Sequence, residues 1–92
     1  MLQNLLMVDE SSDWELIGFV KRSDYRKKIL GSLEKPLIPK EIAEETDIHQ
    51  SNVSRALGDL REKELVQVMN PDAKTGRVYT LTEKGEKILK QI

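Results

Sequence analysis

The sequence predicts a mainly α-helical domain closed by one small β-hairpin, an α+β arrangement, and three observations carry that prediction. First, apolar residues recur at helical spacing along the first two thirds of the chain. Second, IPKEIAEETDIHQSNVSRALGDL, from Ile38 to Leu60, reads as two short amphipathic helices joined by a tight turn, a helix-turn-helix. Third, the period then changes to alternation, with Leu65, Val66 and Val68 on one side of a polar break and Val78, Tyr79 and Leu81 on the other.

The elements follow in chain order. Residues 1–12, MLQNLLMVDESS, carry Leu2, Leu5, Leu6 and Met7 without a partner segment, so they are expected either to fray or to form an arm against a second subunit. Residues 13–92 are expected to form a single domain. Ser12 and Glu15 have capping-box spacing, which predicts a helix through WELIGFVKR with Trp14, Ile17 and Val20 on its buried side. Ser23 is the next N-cap, and Tyr25, Ile29, Leu30 and Leu33 recur at helical spacing, predicting a helix over about 24–34. Leu37 and Ile38, between two prolines, have room only for a short edge strand.

Pro39 opens the helix-turn-helix, where its missing N–H is no loss and its fixed φ suits the first turn. Ile42 and Ala43 face inward, and Thr46, Asp47 and Ile48 form the turn. The second helix, about 50–63, places Val53, Ala56, Leu57 and Leu60 within one narrow arc that must pack against the domain. Residues 66–81 read as a β-hairpin whose exposed tip, NPDAKTGR, includes a Gly76 free to take positive φ. Thr82 caps a last helix in which Ile88, Leu89 and Ile92 need an apolar cover.

Composition excludes several classes of chemistry. Ninety-two residues support one modest core, with no separate ligand-sensing domain expected. The absence of cysteine removes disulfides, thiolate zinc sites, cysteine nucleophiles and thiol redox sensing together. His49 is the only histidine, so no second imidazole or thiolate completes a metal site, and a helix-cap or solvent role is expected for it. With no glycine-rich phosphate loop and no acid–base constellation, neither an enzyme nor a bound metal or cofactor is expected. The apolar run from Leu2 to Val8 is too short to span a membrane and lacks a basic flank and a cleavage site, so a soluble, cytoplasmic protein without a membrane partner is expected.

The net charge of −1 hides segregation. KRSDYRKK, residues 21–28, has five basic groups against Asp24, while Glu41, Glu44, Glu45 and Asp47 crowd the helix before the turn. Both clusters read as solvated helix surface; the other reading of Tyr25, Arg26, Lys27 and Lys28 is contact with phosphates.

On the second helix of the helix-turn-helix, Ser51, Arg55, Gly58 and Glu62 lie opposite the apolar arc. Short polar residues, an arginine and a glycine on such a face let a helix approach a DNA groove and reach base edges. Arg55 has two readings: a base or phosphate contact, guanine being its natural partner at roughly 1–3 kcal/mol of discrimination, or a surface ion pair with Asp59 at i+4. Gln50 and Asn52 either read adenine or are solvated amides at the helix end. Gly58 costs about 1 kcal/mol against alanine within a helix, which either close approach to the DNA backbone or relief of packing against the hairpin would explain. Asp59 and Glu62 oppose phosphate contact and confine a productive surface to the first two turns.

The segments YRKKILGSL, IPKEIAEETDIHQSNVSRALGDLREKELV and GRVYTLTEKGEKIL carry a family resemblance over about residues 24–90. The chain resembles prokaryotic winged helix-turn-helix transcription regulators of the MarR-like and ArsR-like kind, especially small archaeal-type members. That resemblance implies a recognition helix whose base-facing end is Gln50, Ser51, Asn52, Ser54 and Arg55. It also implies a wing, about 70–77, whose Lys74 and Arg77 lie at the neighbouring minor groove or its phosphates. Arginine suits a narrow A·T-rich minor groove, where the negative potential is enhanced. Two positions depart from the family pattern: Asp47 stands at a turn position often held by glycine, tolerable because aspartate accepts left-handed dihedrals, and Glu64 stands where a glycine is frequent. The cysteine-bearing metal motif of many arsenic-repressor relatives is absent.

The function expected from the residues and the resemblance together is a sequence-specific, double-stranded DNA-binding transcription regulator acting as a homodimer. Its dimer surfaces would be the N-terminal helix, through Trp14 and Ile17, and the C-terminal helix, through Ile88 and Ile92. The near-neutral charge keeps a second reading open, a winged helix used as a protein–protein interaction module. The operator sequence and any small-molecule effector have no local signature.

Overall fold

The computed structural model describes residues 13–92. Helix α1 occupies residues 13–21 of that span, followed by α2 (Asp24–Ser32), α3 (Pro39–Thr46), α4 (Gln50–Glu62), β1 (Val66–Val68), β2 (Tyr79–Leu81) and α5 (Glu83–Leu89). The N-terminal arm and the capping by Ser12 lie outside the described residues.

The local signals act as the sequence predicts. The Ser23 hydroxyl accepts from the Arg26 N–H at 3.3 Å and starts α2, and the Thr82 hydroxyl accepts from the Gly85 N–H at 2.9 Å and starts α5. Pro39 occupies the first turn of α3, where the Glu41 carboxylate reaches back to accept from the Ile38 N–H at 2.9 Å. Asp47 makes the turn into α4 in the left-handed conformation, φ 58°. Glu64 does the same at the far end, φ 62°.

One core fills the interior. Val20, Ile29, Leu30, Leu33, Ile42, Val53, Leu57, Leu60, Leu65 and Ile88 are its most enclosed members, and no polar or charged described residue is buried with them. Helix α4 is the centre of this packing, touching α2, α3 and β1, while α5 covers α2 and β2. The inward arc of Val53, Ala56, Leu57 and Leu60 is buried as its spacing requires.

The hairpin pairs Val66 with Leu81, Gln67 with Thr80 and Val68 with Tyr79. The edge strand expected at Leu37 and Ile38 is reduced to a single bridge between Leu37 and Tyr79. The flanking prolines explain its brevity, since neither can donate to a ladder. A Cβ on Gly85 would run into the carbonyl of Leu65, so glycine there permits α5 to lie directly against the chain entering β1.

Three expectations are corrected. Trp14 is 75% exposed rather than buried. At about 100° per residue, Leu16, Ile17 and Val20 define the inward arc of α1 and leave Trp14 outside it. Ile17 and Ile88, expected at a dimer surface, are consumed by the domain's own core, which leaves exposed Trp14 and partly buried Phe19 on α1, with partly buried Leu89 at the end of α5 and Ile92 just beyond it, as apolar surface. Gly58 does not relieve packing against the hairpin, because a Cβ there would meet no atom within 4 Å.

Candidate nucleic-acid interface

The N-terminal half of α4 presents Gln50, Ser51, Ser54 and Arg55 to solvent, with Asn52 half-buried. Its first turn is held by His49, whose Nδ1 accepts from the Ser51 N–H at 3.2 Å and lies 2.8 Å from the Ser51 hydroxyl. His49 is therefore the N-cap of α4, in the role its isolation in the sequence predicts. The Ser51 side chain is engaged in this cap, while Gln50, Ser54 and Arg55 make no side-chain hydrogen bond or ion pair within the described residues.

The wing tip is shaped by its own polar groups. Asn70 bridges the loop, its Nδ2 donating to the Gly76 carbonyl at 3.2 Å and its Oδ1 accepting from the Val78 N–H at 2.7 Å. Gly76 turns the chain at φ 66°. Arg77 Nε donates to the Ala73 carbonyl at 2.9 Å, which anchors the side chain and leaves its terminal guanidinium nitrogens without a protein partner among the described residues. Lys74 stands exposed beside it.

Folding brings these two elements together around a surface depression of about 420 Å³. Gln50 and Ser54 of α4 line one side, and Lys74 and Arg77 of the wing line the other. Lys40, from the first turn of α3, completes the rim, and no carboxylate lines the depression. The charge of this face is thus opposite in sign to that of the whole chain, −1. Sequence reasoning missed Lys40, because its place beside the wing is set by the bridge from Leu37 to Tyr79 and by no local spacing.

A second, smaller concavity of about 140 Å³ joins Tyr25 and Arg26 at the start of α2 to Asn52 and Arg55 of α4. Tyr25 is exposed, whereas Arg26 is turned inward: its Nη1 donates to the Phe19 carbonyl at 2.9 Å and its Nη2 reaches Asp59 Oδ2 at 3.4 Å. Asp59 consequently pairs with Arg26 and not with Arg55, its i+4 neighbour. Lys27 and Lys28 are exposed on α2 and line neither concavity. The expected contact residues therefore fall into two groups, with Ser51 held in the cap and Lys28 apart from both.

A helix-turn-helix followed by a two-stranded wing and a covering helix defines a winged-helix domain. Within that class the chain belongs to the family described as HVO_A0261 N-terminal domain, whose model matches residues 14–92. No curated protein matches it. Among solved structures, it is similar to a mutant of ZitR from Lactococcus lactis at 29% identity and TM-score 0.65, over 75% of this chain and 49% of that one. The chain thus spans about half the length of that relative. It shares its fold with wild-type apo MarR from E. coli, at 24% identity and TM-score 0.68, over 99% of this chain and 72% of MarR. A mutant MarR from E. coli complexed with operator DNA matches at 24% identity and TM-score 0.67, over 97% of this chain and 68% of that one.

Proposed function

We propose that this chain is a DNA-binding transcription regulator that acts as a homodimer, with α4 entering the major groove and the wing resting at the adjacent minor groove. The observation that carries this reading is the carboxylate-free concave face on which Gln50 and Ser54 of α4 meet Lys40, Lys74 and Arg77. The E. coli MarR of the same fold was solved in complex with operator DNA, which supports duplex DNA as the ligand class. In this reading Arg55 and Asn52 read base edges, Gln50, Ser51 and Ser54 accompany them, and Lys74 and Arg77 hold the minor groove or its phosphates. Tyr25 and Lys28 contact the flanking backbone. Arg26 is turned inward and pairs with Asp59.

Two subunits related by a two-fold axis would set their recognition helices about 34–36 Å apart, in successive major grooves. Exposed Trp14, with Leu89 and Ile92, supplies apolar surface for that dimer. With few cations available per subunit, the salt dependence should be shallow, each neutralised phosphate contributing roughly 0.9 to the log–log slope.

The test is fluorescence anisotropy with duplex fragments from the region upstream of the protein's own gene, comparing wild type, Arg55→Ala and Lys74→Ala at two salt concentrations. Arg55→Ala should lose selectivity among fragments, and Lys74→Ala should weaken all fragments alike and lower the slope by about one phosphate. Weak binding that is equal for every fragment and indifferent to both substitutions would overturn the reading. A second reading, a protein-interaction module, draws on the net charge of −1 and on Trp14 at 75% exposure. It would show as a nuclease-resistant hetero-complex unaffected by Arg55→Ala.

A further inference from the structure

One arginine ties three helices together. Arg26 leaves the first turn of α2, lays its guanidinium over the Phe19 ring of α1 at 3.9 Å from the centroid, donates through Nη1 to the Phe19 carbonyl at 2.9 Å, and reaches Asp59 of α4 through Nη2 at 3.4 Å. Lys63, just past the end of α4, stands over the same ring at 5.5 Å. The arginine side chain is about one quarter exposed and the aspartate side chain about two fifths, so the pair is partly shielded from water.

Each partner answers a question that the sequence leaves open. Asp59 places a negative charge on the helix proposed to approach phosphates, where an unpaired carboxylate would repel them. Arg26 belongs to the basic run at residues 21–28, yet it is the member of that run turned inward. A planar guanidinium is suited to this place because it stacks on a ring while donating along its edge in two directions, which an ammonium cannot do.

We propose that Arg26 is a positioning residue for the recognition helix. It fixes the flank of α4 that carries Asp59 against α1 and α2, and it neutralises that carboxylate where DNA would pass. The proposal deepens the DNA-binding reading and rests on it for the second half of its role. The first half, the coupling of three helices, stands on the fold alone.

Two measurements on the whole chain separate these parts. The first uses no DNA: thermal unfolding of Arg26→Gln, Arg26→Lys, Asp59→Asn, Phe19→Leu and the double variant Arg26→Gln/Asp59→Asn. Loss of the clasp should shift the folding equilibrium about two- to fivefold, as for partly exposed ion pairs. The double variant should be no worse than Arg26→Gln alone, and Arg26→Lys should not rescue. Strict additivity, or full rescue by lysine, overturns the coupling.

The second measurement is anisotropy with duplex DNA across a salt series. Arg26→Gln should weaken binding severalfold while leaving the log–log slope at the wild-type value. A slope lowered by about 0.9 with unchanged stability would make Arg26 a phosphate contact and overturn the positioning role. If wild type itself fails to bind duplex at low salt, the DNA reading falls, and the unfolding cycle alone decides whether Arg26 fixes α4.

Discussion

Leu37 and Tyr79 exchange two backbone hydrogen bonds, the Tyr79 N–H donating to the Leu37 carbonyl at 2.8 Å and the Leu37 N–H to the Tyr79 carbonyl at 3.0 Å. They stand 42 positions apart in the sequence, yet this bridge ties the wing to the segment that leads into α3. Lys40 and Arg77 owe their shared depression to it. In native-state hydrogen exchange the Leu37 and Tyr79 amides should therefore open together and more slowly than those of Lys74 and Thr75 at the tip. Fast exchange at Leu37 with protection at Tyr79 would contradict the bridge.

Gly58 offers a test in which stability and binding move in opposite directions. Nothing lies within 4 Å of a Cβ built there, so Gly58→Ala should stabilise the free protein by about 0.5–1 kcal/mol. If the DNA backbone approaches α4 at this point, the same variant should bind duplex more weakly despite its higher Tm. A variant that gains stability and keeps full affinity would place the DNA away from Gly58.

Gly85 is the opposite case. Its missing side chain admits the Leu65 carbonyl, which also accepts from the Thr82 N–H at 3.1 Å. Gly85→Ala should push α5 off the hairpin and cost about 1–3 kcal/mol, the range for overpacking against a part that cannot yield. Calorimetry would detect this as a lowered Tm; an unchanged Tm would mean that α5 can shift freely.

The exposed ion pair between Lys35 and Glu45, 2.9 Å apart, gives a pH signature. The hydrogen bond from the ammonium to Glu45, with that carboxylate's charge, raises the Lys35 pKa above its ordinary 10.5. A raised lysine contributes stability that is fully present below pH 10.5 and is lost as pH rises through the higher folded value. Lys35→Gln should therefore melt at a slightly lower temperature than wild type near neutrality, and the difference should close in strong alkali or in high salt. A difference that grew with pH would have the wrong sign.

Most of the fold was legible because its signals are local. Helical period placed the four inward residues of α4, short polar side chains marked the caps at Ser23 and Thr82, and the tolerance of aspartate for left-handed dihedrals marked the corner at Asp47. Trp14 was not legible in this way, because it lies three residues before Ile17 and so at the edge of the arc, and only the packing of Leu16, Ile17 and Val20 fixes which edge is buried. The pairing of Arg26 with Asp59 was hidden for another reason. The i+4 neighbour Arg55 is what sequence spacing offers Asp59, whereas the partner that folding delivers stands 33 positions away. Lys40 was missed for the same cause, since only tertiary contact sets it beside the wing.

The two left-handed corners have a consequence for how such a protein can change. Asp47 and Glu64 bracket α4, each holding a positive φ, a conformation that costs most residues with a Cβ about 1–2 kcal/mol and aspartate less. Between them the helix is fixed on its inner side by Val53, Ala56, Leu57 and Leu60, while Gln50, Ser54 and Arg55 contribute nothing to the interior. The segment behaves as a cassette. If α4 reads DNA as proposed, substitutions at Gln50, Ser54 and Arg55 should alter specificity while the frame around the helix keeps its shape.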